Sequence, residues 1–196
     1  MRVHVITISD RAAAGEYEDK SGAEIERLLR EAFPECAVTR ELVPDGVDGI
    51  RFALARACGL RIDGTRPCDC VYAYICTKTE DCRPGQAATE YGPAGGRPDF
   101  ILTTGGTGIS PRDVTPEVTM SFCDKALFGI AEALRAASLA ETKSAMLSRA
   151  YAGVCEKTII VNFPGSVRAC TLCTQTLIPV MEHAVAMING EGHGNA

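Results

Sequence analysis

The sequence contains no tryptophan, and aromatic residues make up only 6% of its 196 residues. A hydrophobic core must therefore be built mainly from valine, isoleucine, leucine and alanine, as in parallel sheets covered by helices. An apolar run long enough to cross a bilayer is also lacking, since the first one, residues 3–8, is followed at once by Asp10 and Arg11. We therefore expect no signal peptide, no membrane partner and a cytoplasmic protein.

Long runs of lysine or arginine are absent as well, and the formal net charge is −5. This balance argues against a nucleic-acid partner, although a local basic pocket for phosphates remains open. Small anionic ligands suit the chain better than polymers. The length favours a single domain over residues 1–196 with a full core of its own.

The segment from about residue 61 to 97 lacks any sustained periodicity outside residues 71–75, which could form a short strand. It is rich in glycine, proline and cysteine, and we interpret it as an insertion. Its cysteines, Cys68, Cys70, Cys76 and Cys82, do not have the paired spacing of a structural zinc site, so a surface loop or an oligomer contact is favoured. With no export signal, all ten cysteines are expected to be reduced thiols.

Elsewhere the pattern predicts an α/β protein in which a mostly parallel sheet lies between helices. Strands are predicted over residues 3–8, 38–43, 100–102, 151–155 and 158–161. Helices are predicted over residues 21–33, 47–60, 115–122, 126–139 and in a last segment that ends near residue 188, kinked or restarted at Pro179. Residues 12–18 are expected to form a loop, and His4 to be a satisfied strand histidine.

Polar residues follow the first two predicted strands. Ser9, Asp10 and Arg11 come directly after the first, at the edge where open α/β sheets place their ligands. Asp45 follows the second, between a proline and a glycine. It is predicted to be either the N-cap of the next helix or a catalytic carboxylate.

The most informative stretch is the glycine loop after the strand at residues 100–102, with the sequence Thr-Thr-Gly-Gly-Thr-Gly over residues 103–108. Three glycines in four positions let backbone N–H groups converge on an anion such as phosphate, although such loops also serve merely to turn the chain. The spacing is neither that of a Walker loop nor that of a dinucleotide fingerprint. Arg112 and Asp113 then add a cation and a possible Mg²⁺ ligand, and Thr115 is predicted to cap a helix.

A third loop of this kind follows the strand at residues 158–161, with the sequence Asn-Phe-Pro-Gly-Ser over residues 162–166. Amides at Gly165 and Ser166, at the start of the last helix, would extend the anion pocket; the alternative is a plain proline–glycine turn. Arg149 is either an anion contact, an ion-pair partner or a solvated side chain. Cys170 and Cys173 form a Cys-x-x-Cys pair that we attribute to helix-face coincidence.

Taken in this order, these motifs resemble the molybdopterin adenylyltransferase family of molybdenum cofactor biosynthesis, which includes the bacterial enzyme and plant and animal G domains such as that of gephyrin. The resemblance implies a three-layer α/β sandwich of the molybdopterin-binding type, usually a homotrimer. It further implies that AMP is transferred from ATP to the terminal phosphate of molybdopterin, with Mg²⁺ and release of pyrophosphate. Phe163 stands where the family usually has leucine, and the insertion has no counterpart in the pattern.

The resemblance also implies roles for individual residues. Asp45 and Asp113 would be the catalytic acids and the Mg²⁺ ligands. Residues that would bind phosphate, molybdopterin or nucleotide are Ser9, Asp10, Arg11, Thr104, Gly105, Gly106, Thr107, Gly108, Ser110, Asn162, Pro164, Gly165 and Ser166. A partner that inserts molybdate is implied, and a non-catalytic molybdopterin-binding scaffold like the gephyrin G domain is the alternative function.

Overall fold

The computed structural model describes residues 1–60 and 96–191, so most of the predicted insertion, with its four cysteines and the strand at residues 71–75, lies outside the described residues. The described strands are β1 (Arg2–Ile8), β2 (Ala37–Val43), β3 (Phe100–Thr104), β4 (Lys125–Ala126), β5 (Ala152–Cys155) and β6 (Thr158–Phe163). The helices are α1 (Asp10–Ala13), α2 (Lys20–Ala32), α3 (Val47–Cys58), α4 (Thr115–Phe122), α5 (Phe128–Glu141) and α6 (Val167–Ile188), with a 3₁₀ helix at Lys143–Leu147.

The strands form one sheet in the order β2-β1-β3-β6-β5-β4. The first four are parallel, whereas β5 and β4 run antiparallel to their neighbours. The chain leaves β1 toward β2 on one side and later returns to β3 on the other, so the strand order reverses next to β1. Loops diverge at such a switch point, which makes the carboxyl edge of β1 and β3 a natural place for a ligand.

Alternating side chains on the strands face two separate cores. Val5 of β1 packs in one core with Ile25 of α2 and Leu177 of α6. Ile6, the next residue, packs in the other core with Leu54 of α3 and with residues of α4. The period of two therefore places helices on both faces of the sheet. The prediction of a three-layer α/β fold with a mostly parallel sheet is confirmed.

Three short elements were not predicted: the 3₁₀ helix at Lys143–Leu147, which has five residues, and the shorter α1 and β4. Residues 10–13, of which residues 12 and 13 were assigned to a loop, form helix α1 because the Ser9 hydroxyl accepts a hydrogen bond from the Ala12 amide at 3.3 Å and caps the turn. Residues 125 and 126 form the edge strand β4; residue 126 was assigned to the next helix, so α5 begins two residues later than predicted, at Phe128. Elements of two to five residues carry no hydrophobic period from which they could be predicted.

One helix detail also differs from the prediction, and a second decides against one of two predicted alternatives. Val114 occupies the N-cap position of α4, and Thr115 is the first helical residue. The Thr115 hydroxyl instead donates to the Gly105 carbonyl at 2.9 Å, which ties the helix to the glycine loop. Pro179 lies inside α6, so the helix does not restart there, which was one of the two predicted alternatives.

Buried His4 is satisfied within the sheet, as predicted. Its exposed fraction is 6%, Nδ1 lies 2.8 Å from the Thr39 hydroxyl, and Nε2 lies 3.3 Å from a Glu41 carboxylate oxygen. Burial, and then the charge of Arg56, lower the pKa of His4 to about 4. The neutral ring is therefore the form that the fold accepts.

The free energy of unfolding should depend on this histidine. Because the pKa of His4 is lower in the folded than in the unfolded chain, the unfolded state takes up its proton first, and stability is lost as the pH falls from about 6.5 toward 4. We expect a loss of about 2 kcal/mol between pH 7.5 and 5, measured by urea unfolding. His4→Gln should flatten this slope; an unchanged slope would contradict the assignment.

The described residues contain six cysteines, all of them free thiols, which agrees with the expected reduced state in this part of the chain. Cys170 and Cys173 are buried on α6. Among residues 1–60 and 96–191, none of the helices has the length and apolar character needed to cross a bilayer.

Candidate active site

Four loops meet at the carboxyl edge of the sheet because β2, β1, β3 and β6 are parallel. They carry Asp45 after β2, Asp10 after β1, the glycine loop and Asp113 after β3, and Gly165 after β6. Residues up to 155 positions apart in sequence, Asp10 and Gly165, are thereby brought to one edge. The arrangement forms two neighbouring features, a cavity and a charged cluster.

The cavity has a volume of about 470 Å³, within the range of sites for small organic ligands. One wall comes from the loops after β3 and β6. The residues of that wall that were also predicted from the sequence are Gly105, Gly106, Thr107, Gly108, Asp113, Asn162, Pro164, Gly165 and Ser166. The Ser166 hydroxyl accepts a hydrogen bond from the Ala169 amide at 3.3 Å, so the positive end of α6 is directed toward this wall.

The glycine loop is held in place from both sides. The Gly105 amide donates to the Phe163 carbonyl at 3.2 Å, and the Thr115 amide donates to the Gly106 carbonyl at 3.1 Å. Gly105 has φ +106°, and a Cβ at this position would lie 2.3 Å from the Ile8 carbonyl oxygen. Only glycine fits where β1 and the loop approach so closely. The backbone of residues 105–108 is therefore preorganised along the cavity.

Asn162 lies in β6 rather than in the predicted loop and is fully buried at the cavity wall. Its Nδ2 donates to the hydroxyls of Thr103 and Thr119, both at 2.9 Å. Its Oδ1 is one of the buried side-chain atoms without a hydrogen-bond partner in the part of the chain that the structure describes. An unsatisfied buried acceptor at a cavity is costly unless a ligand supplies a donor.

The charged cluster is built around Asp10 and Asp45. The Asp10 amide donates to Asp45 Oδ2 at 3.0 Å, and the Asp45 amide donates to Asp10 Oδ1 at 2.9 Å. This reciprocal pair locks the loops after β1 and β2 together. The N-cap position of α3 is Gly46, without a side-chain cap, so Asp45 is not the helix cap that was one of its two predicted roles.

Asp113 connects the cavity with the cluster. It lines the cavity, and its Oδ2 accepts a hydrogen bond from the Ser110 amide at 2.8 Å. Burial raises the pKa of Asp45, and the negative charge of Asp113 raises it further. Two carboxylates on different loops are thus close enough to repel each other, which favours a cation at this place.

Five of the predicted binding residues do not line the cavity, and one of these, Asp10, belongs to the charged cluster. Arg11 is bound to Glu16 at 3.0 Å and is largely exposed. The Ser9 hydroxyl caps α1 and contacts the Tyr17 hydroxyl at 2.7 Å, while that of Thr104 donates to the Pro164 carbonyl at 2.9 Å. Ser110 contributes its amide to Asp113. Substrate contacts of these side chains stay predictions.

Arg149, whose role the sequence left open, clamps the glycine loop. Its Nε donates to the Gly108 carbonyl at 2.6 Å, and its amide donates to the Thr107 carbonyl at 2.9 Å. The same guanidinium contacts the Asp113 carbonyl and the Glu117 carboxylate. The ion-pair alternative therefore holds, and the residue fixes the loop through carbonyl oxygens.

The opposite wall of the cavity was not predicted from the sequence. It is formed by α5, the 3₁₀ helix and the residues after it, and its polar side chains are Arg135, Ser138, Thr142, Ser144 and Ser148. Arg135 Nη1 donates to the Ala150 carbonyl at 2.7 Å and anchors the end of this wall. The recurrence of hydroxyl residues between positions 138 and 148 is the one sequence feature that could have indicated it.

Comparison with known proteins accounts for this combination of fold and loops. Residues 86–183 match the family described as a probable molybdopterin binding domain, which is a family of molybdenum cofactor biosynthesis. A molybdopterin adenylyltransferase of Helicobacter pylori is 31% identical over 97% of this chain and 89% of its own length. The chain belongs to the molybdopterin-binding domain family.

Solved structures of the family agree with the fold. The molybdopterin biosynthesis enzyme MoaB from Thermus thermophilus is 32% identical, with a TM-score of 0.70 over 96% of both chains. A structure of MogA is 30% identical, with a TM-score of 0.73 over 96% of this chain and 99% of its own. The molybdopterin-binding fold predicted from the sequence motifs is therefore confirmed.

Proposed function

We propose that the protein is a molybdopterin adenylyltransferase, which transfers AMP from ATP to the terminal phosphate of molybdopterin. The observation that carries the proposal is the position of Asp113, which lines the anion cavity and also acts electrostatically on Asp45 in the neighbouring cluster. A transferase of this kind needs adjacent sites for two phosphate-bearing substrates. The name of the Helicobacter pylori relative supports the same activity.

The cavity suits molybdopterin. Backbone groups of the glycine loop and the N-terminal end of α6 favour an anion at one wall, where the terminal phosphate would bind. The hydroxyl groups of the opposite wall and the unpartnered Oδ1 of Asn162 offer hydrogen bonds to a polar ring system. Thr107 is buried in the wall formed by the glycine loop and contributes its hydroxyl there.

The cluster suits a nucleotide that carries magnesium. Within residues 1–60 and 96–191, no group of three or more His, Cys, Asp or Glu side chains is arranged to hold a metal ion by itself. Mg²⁺ commonly takes one or two carboxylates and completes its shell with substrate phosphates and water. Asp45 and Asp113 fit this donor set, and the bound ion would withdraw charge from the α-phosphate.

In the proposed reaction an oxygen of the terminal phosphate of molybdopterin forms a bond with the α-phosphorus of ATP. The bond from that phosphorus to the bridging oxygen of the β-phosphate breaks, and the electron pair leaves with pyrophosphate. The chain's own task is to align two anions and to reduce their repulsion. Arg149 and Thr115 hold the glycine loop so that this alignment does not have to be formed during the reaction.

Purified protein incubated with molybdopterin, ATP and Mg²⁺ should release pyrophosphate and form adenylylated molybdopterin in equal amounts. Pyrophosphate is measured by a coupled assay and the pterin product by chromatography with mass detection. Omission of molybdopterin is the control for simple ATP hydrolysis. Tight pterin binding without either product would instead favour the scaffold function. The homotrimer and a molybdate-inserting partner stay predictions.

A further inference from the structure

Arg112 has no part in the proposed reaction so far, although it lies in the charged cluster. Its guanidinium forms an ion pair with Asp10, and its Nη2 is 4.0 Å from Asp45 Oδ2. The side chain is 66% exposed, so it is held by this pairing and not by packing. The Arg112 guanidinium thus faces the carboxylates of the cluster while most of the side chain is exposed to solvent.

The local charges make this position significant for a nucleotide. Asp10, Asp45 and Asp113 follow three different strands and lie close to one another, where the proposed function places the phosphates of ATP. Phosphate groups would be repelled by these carboxylates unless a cation intervenes. A guanidinium is well suited to this task because its planar donors match both carboxylate and phosphate oxygens.

Hydrogen bonds fix the backbone next to Arg112, so the side chain can move without moving the loop. The Asp113 amide donates to the Ser110 carbonyl at 2.9 Å, and Asp113 Oδ2 accepts from the Ser110 amide at 2.8 Å. The Arg112 amide donates to the Ser110 hydroxyl at 3.3 Å. The guanidinium can therefore change partners by rotation about side-chain bonds while the glycine loop keeps its shape.

We propose that Arg112 is a nucleotide-binding residue that exchanges its ion pair with Asp10 for an ion pair with the phosphates of ATP. In the free protein Asp10 holds the guanidinium beside the cluster, and in the nucleotide complex the guanidinium contacts phosphate oxygens. The inference rests on the proposed function for the identity of the nucleotide. Asp10 then competes with ATP for Arg112.

The test measures the affinity for ATP in EDTA by isothermal titration calorimetry at fixed ionic strength, so that no metal contributes. Arg112→Gln should weaken binding about tenfold or more, because a charge-assisted hydrogen bond is lost and Asp10 becomes uncompensated. Asp10→Asn should strengthen binding about threefold, because it releases Arg112; asparagine keeps an acceptor for the Asp45 amide. Arg112→Lys should give an intermediate value.

The double variant Asp10→Asn with Arg112→Gln decides between exchange and a static neutralising role. Exchange predicts binding well below wild type, because the direct phosphate contact is missing. An affinity equal to wild type would overturn the proposal, since two opposite charges would merely have cancelled. Weaker binding by Asp10→Asn alone would also overturn it and would indicate that the Asp10 carboxylate has a structural role at the loops after β1 and β2. Arg27→Gln, on the exposed face of α2, is the matched control and should leave the affinity unchanged.

The outcome is separable from that of the proposed function. If pyrophosphate is released normally but Arg112→Gln binds ATP like wild type, only the exchange is wrong. If no product forms but the variants follow the expected order, the exchange stands and the reaction is wrong. Wild-type protein that binds ATP neither in EDTA nor with Mg²⁺ would overturn both.

Discussion

Asp113→Asn is expected to lower the rate of adenylylation at least about a hundredfold while molybdopterin affinity changes little. The substitution removes the negative charge that would hold Mg²⁺ and the nucleotide, and this interaction gains strength as charge develops in the transition state. Asparagine retains an oxygen that can accept the hydrogen bond from the Ser110 amide, now 2.8 Å from Asp113 Oδ2. The glycine loop should therefore keep its geometry.

Asparagine tests the charge of Asp113 more specifically than alanine does. Asp113 Oδ2 lies only 3.0 Å from the point that a Cβ on residue 108 would occupy, so truncation would leave a gap beside the loop as well as remove the charge. Asp113→Ala should thus abolish turnover too, with some loss of pterin binding from the loosened loop. A difference in pterin affinity between the two variants measures how far Asp113 supports the cavity.

The measurement compares single-turnover rates with ATP and Mg²⁺ and, separately, molybdopterin binding. Asp48→Asn is the matched control because Asp48 is an exposed aspartate three positions after Asp45, in the first turn of α3. It should retain the wild-type rate. A near-normal rate in Asp113→Asn would remove Asp113 from the reaction and with it the link between cavity and cluster.

The edge at which the site forms could be predicted from the sequence because it follows from strand direction. Short β-branched runs predicted the buried strands, and parallel strands place their carboxyl ends at one edge. The polar residues after each strand, such as Asp10 and Asp45, were therefore expected to meet. Their reciprocal hydrogen bonds join residues 35 positions apart and could not be predicted from the order of residues.

What could not be predicted depends on which partners a side chain finds in three dimensions. Thr115 precedes a proline and looks like a helix cap, but its hydroxyl reaches the Gly105 carbonyl ten positions away. Arg149 follows a short turn, and only the approach of that turn to the glycine loop gives it four partners. Local propensity describes each segment alone, whereas these contacts join segments through tertiary packing.

The same limit explains the second cavity wall. α5 was predicted from its apolar face, which is the part of a helix that the hydrophobic period reveals. Ser138 and Thr142 lie outside that period, and so their position at the cavity depends on how α5 packs on α6 and on the 3₁₀ helix that follows. A pattern that identifies the buried face gives no information about which polar residues border a ligand site.

Gly105→Ala is expected to reduce the free energy of unfolding by more than about 3 kcal/mol and to abolish molybdopterin binding. Two effects combine: φ is +106°, and the new Cβ would lie 2.3 Å from the Ile8 carbonyl oxygen. That oxygen belongs to the backbone of the central strand β1, so it cannot move aside cheaply. The loop would instead have to shift and lose its contacts with Phe163 and Thr115.

Gly15→Ala distinguishes the cost of backbone strain at a positive φ from the cost of steric overlap. Gly15 also has a positive φ, +75°, but nothing lies within 4 Å of the point that its new methyl group would occupy. It should cost only about 1 kcal/mol in urea unfolding and leave pterin binding intact. If Gly105→Ala were no more destabilising than Gly15→Ala, the close approach of β1 to the glycine loop would be wrong. The cavity would then lack the rigid wall on which phosphate binding depends, since preorganised amides require a backbone that cannot relax away from the anion.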